Sequence, residues 1–178
     1  MYPFLRLFWQ FFVHRNSPDI GPFGTHVSVH RCWPWDLDVF AELNNGRTLT
    51  LYDLGRLPLA RRTGLIRLLL RNKWSLTMAG AAVRYRRRIR MFEKFEMRSR
   101  LLAWDRRFMY IEQAMIVRGQ AAGHIVYRCA VTDKKGIVPV PEIAETLEPG
   151  LTSPAIPDWV AAWIAAEDQR PWPPEIAV

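Results

Sequence analysis

Cysteine is nearly absent from this 178-residue chain, which holds only Cys32 and Cys129. Two cysteines so far apart make neither a zinc-binding spacing nor a disulfide framework. Each lies in an apolar, strand-like stretch, so both are expected as reduced, buried core thiols of a cytoplasmic protein. Proline is scarce in the middle of the chain. Of thirteen prolines, only Pro58 falls between residues 35 and 138, which leaves room there for long regular elements. No apolar run reaches the roughly 20 residues of a membrane-spanning helix. The N-terminal "MYPFLRLFWQFFVHR" is interrupted by Arg6 and Gln10, and no small-residue cleavage site follows it, so a signal peptide is not expected. Internal repeats and low-complexity segments are missing too. Acidic residues are in deficit, 17 against 25 Lys plus Arg, for a net charge of +8. Such a surface favours an anionic partner, whether nucleic acid, anionic lipid or a phosphate-bearing small molecule, and does not choose among them.

What is present reads as one globular domain: 49% hydrophobic and 24% charged residues, over a length that can bury a real core. The aromatic N-terminus is expected as a helix whose rings pack on the domain or on a second subunit. The alternative is an interfacial membrane anchor formed by residues 1–13. Residues 14–24 read as a loop. "THVSVHRC" (25–32) alternates as a short strand, with Val27, Val29 and Arg31 on one face and His26, Ser28, His30 and Cys32 on the other. From Gly46 to about Arg71 the chain looks mainly helical, although "TLTLY" alternates as a strand would. Asn44 and Asn45 are good N-caps. Pro58 should end or kink the helix near Leu57, Gly55 would allow a close approach, and "GLIRLLLRN" suggests a second short helix.

Four strand-like runs follow. Residues 75–91 end in "VRYRRRIRM", with Arg84, Arg86, Arg88 and Arg90 on one face. In 92–104, Phe95, Met97, Ser99 and Leu101 oppose Lys94, Glu96, Arg98 and Arg100. Residues 107–117 are apolar on both faces near their ends, as in a central strand. In 121–132, Ile125, Tyr127, Cys129 and Val131 share a side. The short links "DR", "RGQ" and "DKKG" suit antiparallel neighbours. The economical way to bury the apolar face of such a sheet is to wrap it around the helix. The proline-rich tail carries one short helix near "PDWVAAWIAAEDQ", with Trp159 and Trp163 on one face.

The chemistry concentrates in "WPWDLDVFAELNNGRTLTLYDLGR" (33–56). By themselves, Asp36 and Asp38 favour turn capping, Asn44 and Asn45 favour helix capping, and Asp53 with Arg56 favours a helix ion pair. His14, His26, His30 and His124 are too scattered by spacing for a ligand cluster. The arginine-rich strand reads chiefly as a solvated face, with a phosphate site as the functional reading, since a guanidinium binds phosphate bidentately. No nucleic-acid motif accompanies it, and the aromatics fall mainly at apolar positions, so a nucleic-acid partner is not expected.

The order of elements and the 33–56 stretch together resemble the hotdog-fold thioesterases of the 4-hydroxybenzoyl-CoA thioesterase-like branch. The residues that match are Asp36 and Asp38 as an acidic pair, Asn44–Asn45–Gly46 as the asparagine-small element, and Asp53 with Arg56 on the helix. The resemblance covers residues 25–133. Glu42 departs from it, standing where relatives often carry histidine. The resemblance implies an α+β hotdog fold, a long central helix wrapped by an antiparallel sheet. That domain would lie between an N-terminal segment (1–24) and a C-terminal extension (134–178). It implies hydrolysis of acyl-CoA or a related thioester by a homodimer or tetramer, with no metal and no cofactor beyond the CoA of the substrate. Asp38 is the first catalytic candidate. Glu42 would be a second acid–base group or only a loop carboxylate, and Asn45 would belong to the electrophilic start of the helix. Asp36, Asn44, Gly46, Arg84, Arg86 and Arg88 are the candidate substrate contacts. The rival is a non-catalytic acyl-thioester or lipid-binding protein on the same fold.

Overall fold

The computed structural model describes residues 2–174 and 176. A helix α1 (Phe4–Val13) precedes strand β1 (His26–Arg31) and a 3-10 turn (Pro34–Asp36). Then come helix α2 (Asn45–Arg62), helix α3 (Leu65–Asn72) and three long strands, β2 (Ser75–Tyr85), β3 (Lys94–Trp104) and β4 (Met109–Val117). Strands β5 (Gln120–Asp133) and β6 (Gly136–Val138) complete the sheet, followed by helices α4 (Val140–Leu147) and α5 (Asp158–Gln169). The strands pair antiparallel in the order β1-β3-β4-β5-β2, with β6 on β5. Tight links make this order cheap. Arg118 and Gly119, both at positive φ, turn β4 into β5 in two residues.

The sheet curls around α2, which is the hotdog arrangement. Leu51, Tyr52, Leu54 and Leu59 of α2 pack against Phe95, Met97, Ile111, Ile125 and Val131 on the inner face. Gly55 is required where the helix crosses β3, because a Cβ there would lie 2.5 Å from Met97 Sδ and 2.6 Å from Ser99 Oγ. Helix α4 adds Val140, Ile143 and Ala144 to this core. Helix α5 covers part of the outer face, where Val160 meets Tyr110, Val126 and Ala130. Trp163 stands edge-on to Tyr110 and Trp159 to His124.

Several expectations need correction. Pro58 does not end α2 near Leu57. The helix runs on to Arg62 with Pro58 buried inside it, because burial of Leu54 and Leu59 around it outweighs one lost backbone hydrogen bond. The strand expected over 75–91 stops at Tyr85, and residues 86–93 leave the ladder. The two faces of β1 alternate as expected, and the polar one is inside: His26, Ser28 and His30 are buried, while Val27 and Val29 are exposed. Of the two packings expected for the aromatics of α1, that on the domain is not made by Phe4, Phe8, Trp9 and Phe12, all more than half exposed, while Phe11 is half-buried. Strand β6 and helix α4 had no counterpart in the sequence reading.

Candidate active site

The chain between β1 and α2 is folded around one carboxylate. Asp36 is fully buried. Its Oδ2 accepts from Arg6 Nη1 at 2.7 Å and from the Trp33 backbone N–H at 3.1 Å, and its Oδ1 accepts from Arg47 Nε at 2.7 Å. Its carbonyl receives the Asn44 N–H at 2.9 Å. Asp36 is therefore engaged on both oxygens and does not line the pocket described below, which removes it from the candidate substrate contacts.

The next five residues form a compact loop. Asp38 Oδ1 accepts from the N–H of Phe40 at 2.8 Å and of Glu42 at 3.4 Å, and the Asp38 N–H donates to the Glu42 carbonyl at 2.9 Å. This is the turn-capping geometry that aspartate favours. Ala41 sits at φ +56°, a strained conformation for a residue with a Cβ, inside the loop that presents Glu42. Leu43 then pairs with Leu37 and donates to the Ile89 carbonyl, which fixes where the helix begins.

At the start of α2, Asn44 is the N-cap, and its Oδ1 accepts from the Arg47 N–H at 3.0 Å. That cap leaves the amides of Asn45 and Gly46 without an intrahelical acceptor, at the positive end of the helix dipole. Asn44 and Gly46 shape this end, whereas Asn45 reaches a pocket of about 240 Å³ together with Glu42, Thr48, Tyr85, Arg86, Arg87, Arg88, Met115 and Gly123. Glu42 Oε2 lies 2.7 Å from Arg88 Nε, close enough for an ion pair though not aligned as a hydrogen bond. Arg87 is held by Glu93 at 2.9 Å. Arg86 has no carboxylate partner within ion-pair distance among the described residues. Burial raises the Tyr85 phenol above its ordinary range, so it remains a neutral donor at the pocket wall.

The pocket thus joins Glu42, Asn45, Arg86 and Arg88 of the sequence candidates. It does not include Asp36, Asp38, Asn44, Gly46 or Arg84. Arg84 is exposed on β2 opposite His124. The period-two reading of the arginines fails because the ladder ends at Tyr85. The Arg86 and Arg87 N–H groups both turn to the Ala122 carbonyl. Three consecutive arginines then line one pocket, and Arg87 was missed for that reason. Thr48 was missed as well, although its place three residues beyond Asn45 on a helix would have put it on the same face.

Residues 32–164 match the model of the thioesterase-like superfamily. The chain belongs to that superfamily. The Xenopus laevis Protein THEM6 is 41% identical over 83 residues, a span that covers 47% of this chain and 40% of the frog protein. The chain therefore spans less than half of that relative's length. Among solved structures, the superfamily member superposes on YbaW of Escherichia coli with a TM-score of 0.65, at 14% identity over 70% of this chain and 96% of the other. It superposes on the DHNA-CoA thioesterase of Staphylococcus aureus with a TM-score of 0.60, at 13% identity over 81% and 91% of the two chains. Both likenesses establish the hotdog fold. No helix among the described residues is long and apolar enough to cross a membrane.

Proposed function

We propose that the protein hydrolyses an acyl-CoA thioester, with Glu42 as the carboxylate that activates water. One observation carries this reading: Glu42 and the open end of α2 line the same pocket as three consecutive arginines. The start of α2 at Asn45 provides positive potential for a developing oxyanion. Glu42 takes a proton from water as its oxygen bonds to the acyl carbon. The C–S bond then breaks, and the departing thiolate takes that proton. Arg86, Arg87 and Arg88 suit the phosphates of CoA, since guanidinium groups match phosphate oxygens bidentately. Asp38, the first candidate by resemblance, shapes the loop that aims Glu42. No metal or additional cofactor is invoked, and two buried unpaired thiols fit a cytoplasmic setting.

We also infer a homodimer. Strand β2 is an edge of the sheet and carries Ala79, Gly80, Ala81 and Ala82, small enough to admit another strand. Its last residue, Tyr85, is at the pocket wall.

The Arg88–Glu42 pair favours a second reading, in which the site binds acyl thioesters without hydrolysing them. Release of free thiol from short, long and aromatic acyl-CoAs separates the two. Glu42→Gln should lower turnover by roughly 10²- to 10⁴-fold. Asp38→Asn keeps an acceptor oxygen for the loop and should stay within about tenfold of the parent. The opposite ranking would return the chemistry to Asp38. Binding without turnover on every substrate would establish the second reading.

A further inference from the structure

Helix α1 is amphipathic with its polar side inward. Arg6 reaches Asp36 and the Arg31 carbonyl, Gln10 is buried, and Leu7 touches the core. Phe4, Leu5, Phe8, Trp9, Phe12 and Val13 share the opposite face at helical spacing and are 49% to 86% exposed. Polar contacts hold the helix this way round. The Tyr2 hydroxyl donates to Asp53 at 3.0 Å, and Arg61 donates to the carbonyls of Phe11 and Arg15 at 3.1 and 3.2 Å. A contiguous apolar surface of this kind marks an interaction site.

The surroundings say what kind. Leu5 and Trp9 continue into an open groove of about 410 Å³ whose far wall includes Val29, Arg31, Trp33 and Lys94. Arg15 stacks over Phe12 at 4.2 Å. Helix α1 has no acidic residue, and Arg15, Arg31, Arg61 and Lys94 make no ion pair among the described residues. Aromatic rings framed by unpaired cations match the headgroup region of an anionic bilayer.

We propose that this face of α1 docks the protein onto an anionic lipid surface, with Leu5, Phe8, Trp9 and Phe12 entering the interface and the surrounding cations meeting headgroups. A helix of ten residues lies in the interface and does not cross it. A second copy of the chain is a poorer occupant, because a two-fold contact would set this cationic rim against itself. The proposal is independent of the thioesterase reading.

Co-sedimentation of the intact chain with vesicles tests it, using phosphatidylcholine alone and phosphatidylcholine mixed with phosphatidylglycerol. Binding to the anionic vesicles should be roughly tenfold tighter than to the neutral ones and should weaken in high salt. Phe8→Ser combined with Trp9→Ser should lower it by roughly tenfold or more while the melting temperature holds, since both side chains are exposed. Arg15→Glu with Lys94→Glu should abolish the preference for anionic lipid. Failure of the folded chain to bind either vesicle would overturn the proposal, and so would undiminished binding by the Phe8/Trp9 variant. An assembly of copies that the Phe8/Trp9 variant dissolves would overturn it in favour of self-association.

Discussion

Asp36 shows how much one side chain organises here. Its two oxygens tie α1, through Arg6, to the first turn of α2, through Arg47, and also hold the Trp33 N–H. Removing one partner of a buried ion pair leaves the others uncompensated, which typically costs about 3–5 kcal/mol. Asp36→Ala should therefore lower unfolding stability by about that amount in urea titration. Asp38→Ala should cost less, because Asp38 is only partly buried and caps its own turn. Equal, small losses at both positions would show that Asp36 is not the organising carboxylate. The sequence displayed two similar aspartates with one residue between them. The difference between them arises from Arg6, which lies 30 positions upstream.

Among the elements, β1 keeps its alternation but buries the polar face. Its valines face outward and its histidines inward, because the inner side of this strand meets the end of α2 and the α1–β1 loop. His26 Nδ1 lies 3.1 Å from Arg62 Nη1, the His14 ring stands 4.6 Å from that of His26, and Ser28 Oγ is 2.8 Å from His30 Nε2. Burial, with His14 and Arg62 nearby, lowers His26 to a pKa of about 4. Burial, with Arg6, His26 and His14, lowers His30 to about 3.

The unfolded chain therefore takes up these protons first, near the ordinary value of 6.5. The stability held by neutral His26 and His30 is complete above that pH. It declines as pH falls toward the folded values, by up to about 1.4 kcal/mol per pH unit for each histidine. Melting temperature should thus fall between pH 7 and pH 5, and His26→Gln should reduce that fall. An identical pH dependence in the variant would remove His26 as a cause. Helix α2 makes a related point. Pro58 is a strong local stop signal, overridden because Leu54 and Leu59 around it are buried in the core.

At the scale of the molecule, the sheet has two edges, and they differ. Strand β1 is short and flanked by α1. Strand β2 is long and carries small residues. If β2 is the dimer edge, Ala79→Lys should shift sedimentation from dimer to monomer at micromolar concentration, since edge charges block strand pairing. A parent chain that sediments as a monomer would reject the assembly. Cationic groups also segregate at this scale. Arg86 to Arg88 gather at the pocket, Arg98 and Arg100 pair with Glu96 and Glu112 on the outer sheet face, and the unpaired cations ring α1.

The fold was largely legible because its signals are local and repeated. Alternation in β3 and β5 marks an inner face, two-residue links require antiparallel neighbours, and Asn44 marks where α2 begins. A strand with one apolar face and a helix that must be buried leave few packings. The site was legible only as a neighbourhood, residues 36–46. Which of its carboxylates faces a cavity was decided by tertiary structure, since Asp38 satisfies its own loop while Glu42 meets Arg88 from a distant segment. The same holds for the end of β2, which brings three arginines to one pocket, and for α1, whose amphipathic pattern says that one side is apolar but not which side faces the protein. Sequence by itself determined the elements, their order and the region of chemistry, because these follow from short-range sterics and periodicity. Orientation, pairing and burial of charge depend on contacts between residues far apart in the chain, and only the folded arrangement decided those.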